Sequence, residues 1–164
     1  MSHSDEEPLV TLLIRGGWVS PNVILGTSWY KKNKARKAID EQVGFNLLQL
    51  DMARRSEIQL QTPKRRRLKF TVVQLRGVRP DPDNLVAGLK ITIDALKKVQ
   101  YQRVVAGYRK DGKKKYKNVR IDGPGIIWDD NFKWLDLDPV VDYRDDVHIF
   151  PEAKKFVFVD VFET

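Results

Sequence analysis

The stretch that decides the fold reads RPDPDNLVAGLKITIDAL over residues 79–96. It follows residues 68–75, whose apolar and β-branched side chains predict a strand. Over residues 84–99 the apolar side chains recur at helical spacing, which predicts a helix. The prolines on either side of Asp81 favour an extended chain between strand and helix, so we expect Asp81 and Asp83 to point to the same side.

Asp81 and Asp83 would then form a pair of carboxylates at the start of the helix. Two neighbouring carboxylates repel each other, and one of them tends to keep its proton. A divalent cation removes this repulsion, and hard oxygen ligands suit Mg²⁺ or Mn²⁺. The alternative is that Asp83 only caps a helix that begins at Asn84. The Asp-x-Asp spacing is short and common, so it leaves both interpretations open.

The helix predicted for residues 84–99 carries a polar stripe that continues from this pair. At about 100° per residue, Asp83, Lys90 and Asp94 project within about 20° of one line. The opposite side is apolar and is expected to pack on the sheet through Leu85, Leu89 and Leu96. The stripe has two interpretations. Either Lys90 stabilises negative charge on a bound phosphate, or it forms an ordinary ion pair with Asp94 one turn away.

A second acidic motif follows residues 125–128, an apolar segment that predicts a short strand. Asp129 and Asp130 end this segment. Because consecutive strand residues face opposite ways, only one of the two carboxylates is free to bind a metal.

The rest of the chain predicts an α+β fold, in which a mixed sheet and two main helices form a single domain over residues 1–164 with a flexible start at 1–8. A long helix is expected over 29–55, weakened or divided at Gly44. The turn residues Asp111-Gly112 predict a hairpin. The further strands predicted are 9–14, 101–108, 116–121, 140–143 and 156–162.

The composition of the 164-residue chain excludes several kinds of site. It has no cysteine, which excludes a disulfide framework, zinc bound by thiolates and a cysteine nucleophile. Its two histidines are too few for a metal site built from histidines. The sequence has neither an apolar run of bilayer length nor the basic start of a signal peptide. We therefore expect a soluble intracellular protein with no membrane partner.

The net charge of +8 predicts a polyanionic partner, and the charge is unevenly placed. Residues 97–120 hold ten basic side chains and one acid, whereas 122–152 hold nine acids and two basic residues. One basic cluster alone is typical of a solvated face, but several clusters around a carboxylate-rich stretch favour contact with phosphates. The predicted DNA-contacting residues are Lys31, Lys32, Lys34, Arg65, Arg66, Arg67, Lys113, Lys114 and Lys115.

The order of these motifs resembles that of the RusA-type Holliday-junction resolvases, which are common in phages and prophages. The resemblance spans about residues 9–162 and rests on four motifs: DPDNL at 81–85, Lys90, DAL at 94–96 and IWDD at 127–130. Lys90 lies further from the Asp-x-Asp pair than in the family, so its assignment requires a gap within residues 84–89. The basic hairpin at 101–124 is an insertion relative to the shortest members.

The resemblance implies a small homodimer in the cytoplasm of a bacterial or phage-infected cell. Such an enzyme binds four-way DNA junctions and cuts two opposing strands with Mg²⁺ or Mn²⁺. Carried over by motif, the catalytic carboxylates and metal ligands are Asp81, Asp83 and Asp130, the catalytic lysine is Lys90, and the accessory acids are Asp94 and Asp129. Two other functions fit the same residues: a metal-dependent nuclease of other branched DNA or RNA, and a non-catalytic nucleic-acid-binding module.

Overall fold

Six strands and four helices form within the part of the chain that the computed structural model describes, residues 6–22, 26, 28–74, 80–142 and 155–164. The strands are β1 (Val10–Arg15), β2 (Arg66–Gln74), β3 (Val99–Tyr108), β4 (Lys114–Asp122), β5 (Leu135–Asp142) and β6 (Lys155–Glu163). The helices are α1 (Trp29–Leu48), α2 (Met52–Ile58), α3 (Pro82–Gly88) and α4 (Lys90–Leu96). The predicted α+β class is confirmed, although the helices number four and the strands divide between two sheets.

The larger sheet is mixed, as predicted, with the strand order β1-β6-β2-β5. β6 pairs antiparallel with both β1 and β2, whereas β2 and β5 run parallel. Alternate residues of β6 are buried at Val157, Val159 and Val161, and the intervening Asp160 accepts a hydrogen bond of 2.6 Å from the Thr11 hydroxyl. This period-2 alternation buries one face of the sheet against the helices.

Helix α1 covers the outer edge of β1. The Asn46 side chain accepts from Leu13 N at 3.1 Å and donates to Leu13 O at 3.0 Å, and Gln42 binds both backbone groups of Arg15. These amides occupy the backbone groups that an edge strand otherwise leaves open. The predicted helix 29–55 is divided after Leu48 and not at Gly44, because the Asp51 carboxylate caps α2.

The prediction of an extended chain as far as Asp83 is wrong, although Asp81 itself is extended, with φ −68° and ψ 163°, and Arg79 lies outside the described residues. Helix α3 begins at Pro82, the favoured position for proline, and Asp81 is its N-cap. Asp83 lies in the first helical turn, so it is not the cap and does not lie on an extended chain. The predicted 84–99 helix is divided at Leu89 and ends at Leu96. Its apolar side is confirmed, since Leu85, Leu89 and Leu96 are all buried in the core.

Arg66 is completely buried where β2 begins. Its guanidinium donates to Ile58 O, to Ile126 O at 2.8 Å and to Glu57 O at 3.2 Å. It thereby joins the end of α2 to the loop before Asp129. Burial lowers the pKa of Arg66, although the negative charges of Glu163 and Glu57 act to raise it. Because no part of the side chain is accessible, the prediction that Arg66 contacts DNA is wrong.

One further sequence prediction is wrong, and two others fall partly outside the described residues. Residues 125–128 form a single bridge, between Ile127 and Lys97, and no strand. The strand predicted at 140–143 is the end of β5, which begins at Leu135, and its last residue lies outside the described ranges. Most of the segment predicted to be flexible, residues 1–5 of 1–8, also lies outside them.

Replacing Arg66 with Met retains an extended apolar side chain but removes the donors to three backbone oxygens. Buried oxygens left without a partner destabilise the fold, so we expect the free energy of unfolding to fall by about 2–3 kcal/mol. Urea denaturation followed by circular dichroism measures this. Arg65→Met, at the neighbouring exposed position, is the matched control and should change stability by less than about 0.5 kcal/mol. Equal losses in the two variants would contradict the structural role of Arg66.

Candidate active site

Lys90 and Asp130 are in contact although they lie far apart in the sequence. The Lys90 ammonium donates to Asp130 Oδ2 and, at 2.9 Å, to Asp94 Oδ1. The backbone brings them together, because Ile127 N donates to Leu96 O at 3.1 Å and Lys98 N donates to Ile127 O at 2.8 Å. The loop that carries Asp130 is therefore attached to the end of the helix that carries Lys90.

Lys97 joins the same group and was not predicted from the sequence as a site residue. Its Nζ lies 3.1 Å from Asp94 Oδ1, 3.5 Å from Asp130 Oδ1 and 3.9 Å from Asp129 Oδ1. The only sequence signal was its position three residues after Asp94, a spacing that pairs side chains on a helix. We call Lys90, Asp94, Lys97, Asp129 and Asp130 the Asp–Lys cluster.

The lysines of the cluster keep Asp130 ionised. Partial burial raises the pKa of Asp130, but the hydrogen bond from Lys90, a hydrogen bond with Asp129 and the charge of Lys97 outweigh it, and the pKa falls from 3.8 to about 2. Burial lowers the pKa of Lys90, but its hydrogen bonds to Asp130 and Asp94 outweigh burial and raise it. Both shifts favour the charged forms, so Lys90 and Asp130 form an ion pair at neutral pH.

Asp129 is fixed by its own loop. One carboxylate oxygen accepts from Asp130 N at 2.8 Å, and the other accepts from the Asn131 side chain at 3.1 Å. Asp129 therefore shapes the turn and also faces Lys97, whereas Asp130 contacts both lysines. The expectation that only one of the two carboxylates is free to bind a metal relied on a strand that does not form at 125–128, and it stays a prediction.

Asp81 and Asp83 stand apart from the cluster. Asp81 accepts from Asn84 N at 2.9 Å and from the Asn84 side chain at 3.2 Å, while Asp83 is exposed in the first turn of α3. In the described ranges, no ion pair or hydrogen bond joins either carboxylate to the cluster. Nor do any three His, Cys, Asp or Glu side chains there form a group that could hold a metal ion. The ligand set Asp81, Asp83 and Asp130 stays a prediction.

A cleft of about 220 Å³ connects the cluster to the base of the β3–β4 hairpin. Its lining includes Asp94, Lys97 and Tyr101. The Arg36 guanidinium crosses this cleft, donating to Asp94 O at 2.9 Å and to Gln100 Oε1 at 3.0 Å. A wider groove of about 680 Å³ between α1 and β1 contains none of the cluster's residues.

The remaining residues predicted to contact DNA differ in accessibility. Arg65 and the hairpin lysines are exposed, as are Lys31 and Lys34 near the start of α1, whereas Lys32 is half-buried. Arg67 is largely covered, because it pairs with Glu6 at 2.6 Å and stacks on the Phe162 ring at 4.0 Å. The hairpin lysines are Lys113, Lys114 and Lys115.

Comparisons of the chain with protein-family models, with curated proteins and with solved structures find no match. Within the described ranges, none of the helices combines the length and hydropathy that a membrane crossing requires.

The lowered pKa of Asp130 predicts a pH-dependent contribution to stability. A carboxylate with a depressed pKa stabilises the fold above its unfolded-state pKa, and this contribution is lost as the pH falls through the folded-state value. We expect the difference in Tm between wild type and Asp130→Asn to shrink as the pH falls from 3.8 to about 2. Because Asp130 is partly exposed, the effect is about 1 kcal/mol or less.

Thermal melts over this pH range provide the measurement. Asp136→Asn, at an exposed position of β5, is the matched control for the loss of one surface charge. A difference between wild type and Asp130→Asn that stays constant with pH would contradict the ion pair.

Proposed function

We propose that the chain is a divalent-metal-dependent endonuclease that hydrolyses phosphodiester bonds in branched DNA, with four-way junctions as the substrate favoured by the motif resemblance. One observation carries the proposal: Lys90 contacts Asp130. Sequence motifs alone marked these two residues as catalytic, and the fold places them together. The motifs do not themselves require this contact, which is why it supports the proposal.

The negative charge around Lys97 supports the cation-binding part of the proposal. The Lys97 ammonium already lies within 4 Å of three carboxylates, so the arrangement stabilises positive charge at this position. The donors are hard oxygen atoms, which suit Mg²⁺ or Mn²⁺. In the proposal Asp130 holds the ion together with Asp81 and Asp83, and Asp94 and Asp129 act as accessory acids.

The chain's own residues would divide the remaining work. When bound, the metal ion supplies an activated water and neutralises charge on the phosphate. Lys90 keeps Asp130 ionised and places a positive charge beside the site, where it stabilises the negative charge that grows on the phosphate. The exposed lysines of α1 and the hairpin contact phosphates of the DNA arms, an interaction that salt weakens.

The proposed partner arrangement is a homodimer. Resolution of a four-way junction requires two cuts related by two-fold symmetry, and a C₂ dimer presents two identical sites in that relation. The proposed location is the cytoplasm of a bacterial or phage-infected cell, where such junctions form.

A non-catalytic nucleic-acid-binding module is the second candidate, and a specific observation favours it. Each carboxylate of the cluster contacts a lysine, and the described residues contain no three-ligand metal group. An ion-pair network of this kind also occurs where it only holds a loop to a helix.

Cleavage of a labelled four-way junction, a fork and a linear duplex, with Mg²⁺ or with EDTA, tests the proposal. We expect wild type to nick branched DNA only with the metal. Asp130→Asn should lose about 10² or more in rate while still binding the junction, because binding rests on the basic surfaces. Asp136→Asn is the matched control and should cut like wild type. A wild-type chain that binds the junction tightly but never cuts would contradict the nuclease and favour the binding module.

Asp81 allows the same assay to separate a structural role from metal binding. Asparagine caps helices about as well as aspartate, so Asp81→Asn keeps the start of α3 intact and removes only the charge. We expect this variant to lose cleavage as Asp130→Asn does. Asp81→Ala also loses the cap, with about 1 kcal/mol of stability. Normal cleavage by Asp81→Asn would show that Asp81 is a helix cap and no metal ligand.

A further inference from the structure

The β3–β4 hairpin is exposed on both faces, and its two faces differ in chemistry. The turn predicted at Asp111-Gly112 is confirmed, with Gly112 at φ 80°. Among the described residues, the two strands pair with each other alone and form a separate two-stranded sheet. Every residue of β4 is exposed. The hairpin therefore extends away from the core with its side chains free to meet a ligand.

The register collects the three hairpin tyrosines on one face. Directly opposite residues share a face of the ladder, and the pairs here are Tyr101 with Arg120, Val105 with Tyr116, and Tyr108 with Lys114. Simple alternation would turn Tyr108 to the other face, but the irregularity between Val105 and Gly107 shifts the register. That irregularity aligns Tyr108 with the other two rings.

Each tyrosine on this face has a cation beside it. Arg120 lies opposite Tyr101, Lys114 lies opposite Tyr108, and the Arg103 guanidinium stacks over the Tyr116 ring at 4.1 Å. The exposed fractions are 68% for Tyr101 and 67% for Tyr108, so these rings offer open stacking surfaces. We call this side of the hairpin the tyrosine–cation face; its members are Tyr101, Arg103, Tyr108, Lys114, Tyr116 and Arg120.

The opposite face carries charge without aromatic rings. Lys115 and Lys117 lie on it, together with Gln102 and Val119. Contact with duplex phosphates requires only cations, which either face supplies. The tyrosines are explained by a ligand that offers flat rings as well as negative charge. A single strand of nucleic acid supplies both, the rings from its unpaired bases and the charge from its phosphates.

We propose that the tyrosine–cation face binds a single-stranded segment of nucleic acid, with bases stacked on Tyr101 and Tyr108 and phosphates beside Arg120 and Lys114. This binding rests on the proposed function for its biological setting. In that setting, the branched substrate carries an unpaired strand at its branch point. Tyr101 also lines the cleft that reaches Asp94 and Lys97, so a strand on this face leads toward the Asp–Lys cluster.

The hairpin of a second copy is a poorer occupant of this face. The segment 97–120 holds ten basic residues and one acid, so two hairpins repel each other. A nucleic-acid strand complements this charge and also supplies rings.

Fluorescence anisotropy with labelled oligothymidine, in EDTA, tests the inference without any cleavage. The Tyr101→Ala/Tyr108→Ala double variant should weaken binding by about tenfold or more per ring, while affinity for a duplex of equal length stays near that of wild type. The Tyr101→Phe/Tyr108→Phe double variant keeps both rings and should bind oligothymidine like wild type. Normal binding by this phenylalanine variant would show that weaker binding by the alanine variant results from the loss of the aromatic rings.

The matched control on the other face is Lys115→Ala/Lys117→Ala. It should flatten the dependence of log K on log salt by up to about 0.7 for each phosphate that is no longer neutralised, whereas the tyrosine variants should leave that slope unchanged. Oligothymidine binding by the alanine double variant at wild-type affinity would overturn the inference. So would an equal loss toward duplex, or binding of wild type to anionic phospholipid vesicles but not to oligothymidine. Because the assay contains no metal, its outcome does not depend on whether the chain cleaves DNA.

Discussion

The backbone contact between Ile127 and the end of α4 is the constraint on which the candidate site depends. Ile127 N bonds Leu96 O, and Ile127 O receives Lys98 N, so the loop and the helix end are held on both sides. This contact leaves Asp129 and Asp130 facing Lys90 and Lys97. It also fixes the start of β3, because the hairpin leaves the core directly after Lys98.

Two further features hold the loop in place. The buried Arg66 guanidinium donates to Ile126 O, which attaches the loop to β2 and α2. Gly123 passes so close to Lys97 that an added Cβ would lie 1.9 Å from the Lys97 carbonyl oxygen, so only glycine fits there. Backbone hydrogen bonds and buried contacts thus position the cluster. Its position does not depend on the ion pairs at its surface.

Much of the fold followed from local patterns, and the differences have physical causes. Apolar and β-branched residues predicted β1, and alternation predicted β6. The turn residues predicted the β3–β4 hairpin, and leucine spacing predicted the buried side of α3 and α4. The N-cap at Asp81 was missed because proline is excluded from helix interiors but favoured at the first helical position. The two prolines that flank Asp81 therefore led to the prediction of an extended chain.

The candidate site was predictable in part. Spacing on one helix gave Lys90 with Asp94, and the motif resemblance gave Asp130. Lys97 and Arg66 were both counted among basic residues expected at the surface, because charge alone does not reveal a partner distant in sequence. Backbone carbonyls surround Arg66 and three carboxylates surround Lys97, and only the folded chain brings these groups together.

The most direct test of the account is whether the Asp–Lys cluster binds a divalent cation. Free Mn²⁺ has a strong electron paramagnetic resonance signal that weakens when the ion binds protein, so a titration in the presence of a four-way junction measures occupancy. We expect wild type to take up Mn²⁺ and Asp130→Asn to take up much less, with Asp136→Asn behaving like wild type. Equal uptake by wild type and Asp130→Asn, or none by wild type, would contradict it.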